Sequence, residues 1–165
     1  MSVIEHASQN ESPAAREFLS FRIGAEEYGL DLLSVQEIRG YEPCTLMANS
    51  PNYVKGMVNL RGIIVPIVDL RVRLGVPDPS YDALTVVIIL NLQGCTGTVG
   101  IVVDSVKDVV ALTTEQIRPA PEVGGGIAAD ALLGIGTVDG DMVILLDIEK
   151  ILSGIGIGRF NRRAA

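Results

Sequence analysis

The amino-acid sequence predicts a mostly β protein with a few short helices. Its apolar residues fall into short segments that are rich in Val and Ile and separated by turn residues. Such segments suit strands better than helices. Two stretches of the first half also recur in the second half. A chain of 165 residues that is 48% hydrophobic can bury about 70% of its extended surface, so we expect two related β-units with a substantial core.

Nine segments are predicted as strands. Residues 18–23, in the first segment, partly alternate between the two faces, as a strand with one buried face should. The segment 85–90 does not alternate, because five apolar residues follow Thr85 in a row. This predicts a strand covered on both faces, on one by its own unit and on the other by the neighbouring unit. In chain order, the predicted strands are residues 17–23, 27–30, 56–59, 63–70, 85–92, 98–103, 106–112, 133–138 and 142–146.

Three short helices are predicted at 31–40, 69–75 and 147–154. Each begins with an Asp that can cap free backbone N–H groups and ends with a Gly that can adopt the left-handed conformation. In the third helix the apolar residues follow helical spacing and form one stripe. In the first helix, Val35 and Ile38 can face the core at i, i+3. Alternatively, Val35 lines an apolar groove.

The internal repeat divides the chain in two. Residues 56–70 align with 134–148 without gaps, and residues 29–38 align with 100–109. Both matches run in the same order at similar offsets, which favours related units at about 16–80 and 84–153 that share a hydrophobic core. The polar segment 1–15 and the glycine-rich, basic segment 154–165 are predicted as flexible tails.

Composition excludes several classes of function. The formal net charge of -7 makes nucleic acid and anionic membranes poor partners. No apolar run reaches the roughly 18 residues that a membrane span needs. The N-terminus lacks the apolar segment of a secretion signal, so the cytoplasm is the expected compartment.

The sequence predicts no catalytic residues, no metal and no cofactor. The only histidine, His6, lies in the expected tail, and the two cysteines, Cys44 and Cys95, are expected to be reduced thiols. The glycine-rich segments lack the Gly-Lys-Ser/Thr ending of a phosphate loop. Asp139-Gly140 is predicted as a hairpin turn instead of a calcium loop. An enzyme or an oligonucleotide-binding barrel remains an alternative that binding assays with nucleotide or single-stranded DNA can test.

The segment from Asn59 to Gly62 joins two predicted strands and leaves two interpretations open. An Asn and a Gly can form the turn and leave Arg61 in solvent. Alternatively, Arg61 forms the tip of an exposed hairpin that grips a carboxylate of a partner, a task that suits the rigid fork of guanidinium donors.

Four segments resemble the CheW family of bacterial chemotaxis coupling proteins. They read EEYGLDLLSVQEIRGYE at 26–42, VKGMVNLRGIIVPIVDLR at 54–71, VGIVVDSVKDVVALTTEQIRPAPE at 99–122 and MVILLDIEKIL at 142–152. The resemblance covers about 17–152 and implies two intertwined five-stranded SH3-like β-barrels. It also implies a non-enzymatic adaptor that links chemoreceptors (methyl-accepting proteins) to the histidine kinase CheA in arrays on the inner face of the membrane.

The resemblance also implies which residues bind partners. The receptor tip would lie in the groove between the barrels, and the kinase would contact barrel ends, around Gly56, Met57 and the hairpins of the second barrel. The chain departs from the family pattern in a long turn at 93–97 and in three glycines at 124–126. The matching receptor-binding positions are Val35, Glu37, Asn59, Leu60, Arg61 and Gly62.

Overall fold

A computed structural model describes residues 15–45, 52–76, 79–92, 97–119 and 131–153. These residues form strands, two short α-helices, α1 (Leu70–Arg73) and α2 (Ile148–Ser153), and two 3₁₀ turns, Leu32–Ser34 and Thr114–Gln116. The strands are β1 (Ala15–Ile23), β2 (Glu26–Asp31), β3 (Val35–Gly40), β4 (Val54–Leu60), β5 (Ile63–Asp69), β6 (Val86–Leu92), β7 (Gly97–Val103), β8 (Ser105–Thr113), β9 (Ile117–Arg118), β10 (Leu132–Val138) and β11 (Asp141–Leu146).

The strands form two sheets. One has six strands in the order β8-β1-β2-β11-β10-β9, and the other has five in the order β3-β6-β7-β5-β4. The last strand of the six-stranded sheet, β9, was not predicted because it has only two residues. Neither predicted half builds a sheet alone: the first half gives β1 and β2 to the six-stranded sheet, and the second gives β6 and β7 to the five-stranded one. The halves are therefore intertwined through their first two strands.

The predicted repeat is confirmed at the level of backbone geometry. The β4–β5 and β10–β11 hairpins each have a register shift next to a glycine, Gly56 with φ 148° and Gly134 with φ 150°. The parallel strand pairs also match, since Gly100 lies beside Ile67 and Gly29 beside Leu145. Each sheet thus repeats the same arrangement of strands, with β9 as an addition to one edge.

The core has three parts. The largest lies between the sheets and includes Ile88 and Leu90 of β6. A second cluster fills the five-stranded sheet and includes Val87 and Ile89, whose side chains point the other way. A third cluster fills the six-stranded sheet around Phe18. The prediction that 85–90 is covered on both faces and that the units share a core is confirmed.

The predicted helix at 31–40 is wrong. The Asp31 side chain does accept a hydrogen bond from the backbone N–H of Leu33, but it caps only one 3₁₀ turn. From Val35 onward the chain is strand β3, which pairs antiparallel with β6. Pairing with a long apolar strand outweighs the weak helical signal of this segment. Ile38 consequently is 44% exposed and does not face the core as expected.

The other two predicted helices are present. Asp69 caps α1, and Gly75, with φ 93°, ends the turn that follows this helix. In α2 the predicted apolar stripe of Ile148, Ile151 and Leu152 is buried in the core. β1 begins at Ala15, which was expected in the tail. His6, Cys95 and the segments 124–126 and 154–165 lie outside the described residues.

No helix among the described residues is long and apolar enough to cross a membrane.

Candidate partner-binding site

The turn between β4 and β5 presents Arg61 at the surface. Arg61 adopts the left-handed conformation with φ 52°, and Gly62 follows with φ 89°. The Asn59 side chain accepts a hydrogen bond from the backbone N–H of Gly62 at 2.8 Å. Asn59 and Gly62 therefore shape the turn, as the simpler interpretation of this segment predicts. The side chain of Arg61 takes no part in the backbone hydrogen bonds of the two strands.

Arg61 is paired with a carboxylate of its own chain. Its Nη2 lies 3.0 Å from Oε1 of Glu37 and its Nη1 lies 3.4 Å from Oε2, so the contact uses both donors of the fork. Arg39 lies 3.7 Å from the same carboxylate. The Arg61 side chain is nevertheless 64% exposed. The three side chains together carry one uncompensated positive charge at the surface, which can attract a carboxylate of a partner.

The Glu37–Arg61 pair crosses a gap between two edge strands. β3 and β4 are the outer strands of the five-stranded sheet and do not pair with each other. The ion pair crosses one end of this gap. At the other end, Thr45 and Met57 exchange two backbone hydrogen bonds of 3.0 and 2.8 Å. We call the gap between these two links the open seam.

The open seam leads into a small cavity of about 70 Å³. Its floor is apolar and belongs to the core of the five-stranded sheet, whereas its rim is polar and exposed. The floor is formed by Val58, Ile67, Val87 and Ile89, and the rim by Arg39, Gly40, Glu42, Cys44 and Asn59. Burial raises the pKa of the Cys44 thiol.

The remaining predicted site residues differ in accessibility. Val35 is half-buried and packs against the core between the sheets, on the opposite face of β3 from Glu37. Leu60 is only 3% exposed and belongs to the core, so its side chain is not available to a partner. Gly56 leaves no room for a side chain, because a Cβ there would lie 2.1 Å from the carbonyl oxygen of Thr45. Met57 is half-buried beside it.

A buried ionic cluster was missed by the sequence reasoning. Arg71 is completely buried and donates to Asp69 through Nε and Nη2, to Asp104 through Nη1 at 2.9 Å, and to the carbonyl oxygen of Ser80. Asp69 was predicted only as a helix cap, a role that it also has. The signal that could have found the cluster is a pair of charges, Asp69 and Arg71, inside an otherwise apolar run.

Tyr81 also belongs to this cluster and is the member that extends to the protein surface. Its hydroxyl donates to Oδ2 of Asp69 at 2.7 Å, and its ring lies 4.5 Å from the ring of Tyr41. Burial, and then the hydrogen bond to the Asp69 carboxylate, raise the pKa of Tyr81 to about 12. Burial alone lowers the pKa of Arg71, but the hydrogen bonds to Asp69 and Asp104 outweigh it and raise that pKa overall.

Among the described residues, no group of three or more His, Cys, Asp and Glu side chains is placed to hold a metal ion. What the surface at β3 and β4 offers is an exposed ion-pair cluster beside an apolar opening. Such an arrangement suits contact with another protein, where charges set the register and apolar groups are buried.

A family model described as a CheW-like domain matches residues 17–155. The chain belongs to the CheW family. A chemotaxis protein CheW of Klebsiella aerogenes is 56% identical over 138 residues, which cover 84% of this chain and 82% of the relative. A probable chemotaxis protein CheW of Rhizobium etli is 36% identical over 150 residues, covering 91% of this chain and 96% of the relative.

The fold agrees with this family. A crystal structure of the scaffolding protein TtCheW from Thermoanaerobacter tengcongensis has a TM-score of 0.74 and 28% identity, covering 86% of this chain and 90% of that chain. The predicted fold of two SH3-like β-barrels is confirmed, with the two sheets described above as the barrels. Family membership places this chain among the chemotaxis scaffold and coupling proteins.

Proposed function

We propose that this protein is a non-enzymatic adaptor that couples the cytoplasmic tips of chemoreceptors to the histidine kinase CheA. Coupling would let receptors control kinase activity and would hold both proteins in an array. The proposed location is the cytoplasm, with recruitment to the inner face of the membrane through the receptors. CheW family membership supports the general role of a chemotaxis scaffold.

The observation that carries the receptor part of the proposal is the cluster of Glu37, Arg39 and Arg61 at the open seam. It has an exposed guanidinium and an excess of one positive charge. The turn that holds Arg61 is fixed by Asn59 and Gly62, so the backbone that carries the guanidinium is ordered before a partner binds. Val35 and Leu60 belong to this site through packing, since their side chains support β3 and β4 from the core.

For the kinase we propose contacts at the barrel ends, around Gly56 and Met57. Gly56 supports this role indirectly, because it lets Thr45 approach β4 and so fixes the position of Met57. The equivalent hairpin of the six-stranded barrel, β10–β11, repeats this geometry and presents Met142, which is 65% exposed. Two similar barrel ends suit an adaptor that contacts more than one neighbour.

The test is a reconstitution with receptor-bearing membranes and CheA. The purified protein should sediment with the membranes and should carry CheA with it. Autophosphorylation of CheA should rise strongly when protein and receptor are both present, and should barely change when the protein is added to CheA alone.

Two controls make this test specific. Membranes without receptor should leave the protein in the supernatant. An ATPase or phosphatase activity of the pure protein would contradict the proposed absence of catalysis, and equal kinase activity with and without the protein in the presence of receptor would contradict the coupling role.

A further inference from the structure

A groove with an apolar floor lies on the six-stranded barrel, where β11 runs into α2. Its volume is about 270 Å³. Leu146 and Ile148 form the buried floor, and Leu133 of β10, which is 37% exposed, forms one wall. The 3₁₀ turn after β2 contributes to the rim, and Leu33 in this turn is 93% exposed. The described residues therefore leave apolar surface uncovered at this place.

The rim of the groove is acidic. Carboxylates of Asp31, Asp147 and Glu149 line it, and Arg16 is the only basic residue among the described residues that do so. Arg16 is already paired with Asp31, with Nη2 2.9 Å from Oδ2. Asp147 accepts a hydrogen bond from the backbone N–H of Lys150, whereas the carboxylate of Glu149 has no partner among the described residues. The lining thus has an excess of two negative charges.

The chain continues beyond α2 with a segment of complementary composition. Residues 154–165 contain three arginines and no acidic residue, and they place Phe160 directly after the first arginine. Residues 1–153 have a formal charge of -10, because the whole chain has -7 and this segment contributes +3. Opposite charges on one chain attract each other at the high effective concentration that a short tether gives.

The segment also starts near enough to reach the groove. The helix α2 has six residues, so its end lies about 9 Å along its axis from the groove at its start. Between Ser153 and Phe160 an extended chain can span about 20 Å, which allows a return along the helix. Gly154 directly follows the helix, at the position where a glycine lets the chain change direction.

We propose that the groove holds the C-terminal segment of the same molecule. The ring of Phe160 covers the apolar wall at Leu133, and the arginines on both sides of it face the carboxylates of the rim. Glu149 is the main acceptor, because it has no other partner among the described residues. An aromatic ring supplies a large apolar area for this contact, and guanidinium groups supply paired donors for carboxylates. This proposal does not depend on the proposed function.

The experiment uses the full-length protein, which contains no tryptophan. Phe160→Trp therefore adds a single fluorescent reporter, whose quenching by acrylamide gives the ratio of docked to free segment. Adding Glu149→Lys should lower this ratio by about threefold or more, since it removes one ion pair and adds repulsion. Adding Glu115→Lys is the matched control, because Glu115 also lies in the first turn of a short helix but does not line the groove. The control should leave the ratio unchanged.

A second groove variant, Leu133→Ser, tests the apolar wall and gives the result if melting curves show that Glu149→Lys does not fold. Methyl NMR of the otherwise unchanged protein then locates the contact. Phe160→Ala should shift the methyl signals of Leu133 and Ile148, and should leave those of Ile63 on the other barrel in place.

Three results would overturn the proposal. The first is an indole at position 160 that acrylamide quenches as freely as tryptophan in solution, because nothing then covers it. The second is a protected indole in folded groove variants, or unchanged methyl signals of Leu133 and Ile148, because the segment then docks elsewhere. The third is protection that disappears on dilution, because the groove then takes the segment of a second molecule.

Discussion

At the scale of single residues, the Glu37–Arg61 pair is too exposed to contribute much to folding. Ion pairs at the surface are worth at most about 1 kcal/mol because solvent screens them and two long side chains lose freedom. With 64% of its side chain exposed, Arg61 is of this kind. Its contribution to partner binding is larger, because removing one member of a charge pair that an interface buries costs about 2 to 5 kcal/mol of binding free energy.

A charge-swap experiment separates these two roles. Arg61→Glu should leave the melting temperature nearly unchanged but should strongly reduce receptor-dependent activation of CheA. The double variant Glu37→Arg with Arg61→Glu restores an ion pair across the seam with inverted polarity. We expect the double variant to remain defective, because a partner carboxylate would meet a glutamate at position 61. If the double variant regains activation, the role of the ion pair is to close the open seam and not to bind a partner carboxylate.

Gly56 needs a different kind of test, because its substitution damages the fold. Its φ of 148° is unfavourable for other residues, and a Cβ would collide with the carbonyl of Thr45. We expect Gly56→Ala to destabilise the protein by about 2 kcal/mol or more. Gly40→Ala is the control, since nothing lies within 4 Å of a Cβ there. Equal denaturation midpoints for the two variants would contradict this account, and Met57→Ala is the better probe of kinase contact.

At the scale of elements, β6 is the strand on which both barrels depend. Its successive side chains enter two different cores: Ile88 packs between the barrels and Ile89 packs inside the five-stranded barrel. The five consecutive apolar residues after Thr85 made this predictable from the sequence. β3, its neighbour, was not predicted, because none of its residues is fully buried and its pairing with β6 is set by tertiary structure.

Both faces of β6 should therefore be equally sensitive to truncation. Ile88→Ala and Ile89→Ala should each lower the free energy of unfolding by about 2 to 4 kcal/mol through cavity formation. Ile63→Ala, at a position that is 54% exposed, should change it by less than about 0.5 kcal/mol. Urea denaturation of the three variants provides the comparison. A change below that limit for either β6 variant would mean that one of the two cores does not hold the strand.

At the scale of the whole molecule, the residue pattern predicted two related halves, whereas the exchange of strands between them was implied only by the resemblance to the CheW family. A match between 56–70 and 134–148 is the same whether each hairpin pairs within its own half or with the other half. The exchange depends on long-range pairs such as Leu19 with Val109 and Gly100 with Ile67. The candidate site shows the same limit: the sequence indicated Glu37 and Arg61 as members, but not that they contact each other across the open seam.

The buried Arg71 cluster lies where the chain passes from one barrel to the other. Asp104 is the single residue between β7 of the five-stranded barrel and β8 of the six-stranded barrel. Its carboxylate accepts from Arg71 through Oδ1 and from the backbone N–H of Gly24, in the β1–β2 turn, through Oδ2 at 2.7 Å. Arg71 thus links the end of β5 to both barrels, and the cluster fixes their relative position.

We expect Arg71→Met to be among the most destabilising single substitutions in this protein. Methionine fills much of the same volume but leaves the Asp69 carboxylate buried without its cation, which costs about 3 to 5 kcal/mol. Arg73→Met is the matched control in the same helix, because the Nε of Arg73 is buried without a hydrogen-bond partner among the described residues, and its removal should be close to neutral. Thermal unfolding gives the stability difference between the two variants.

Because Asp104 ties the barrels together, Arg71→Met should also increase amide exchange in the β1–β2 turn and at the start of β8. Equal melting temperatures for the two variants, or unchanged exchange at Gly24, would exclude a role of Arg71 in holding the barrels together.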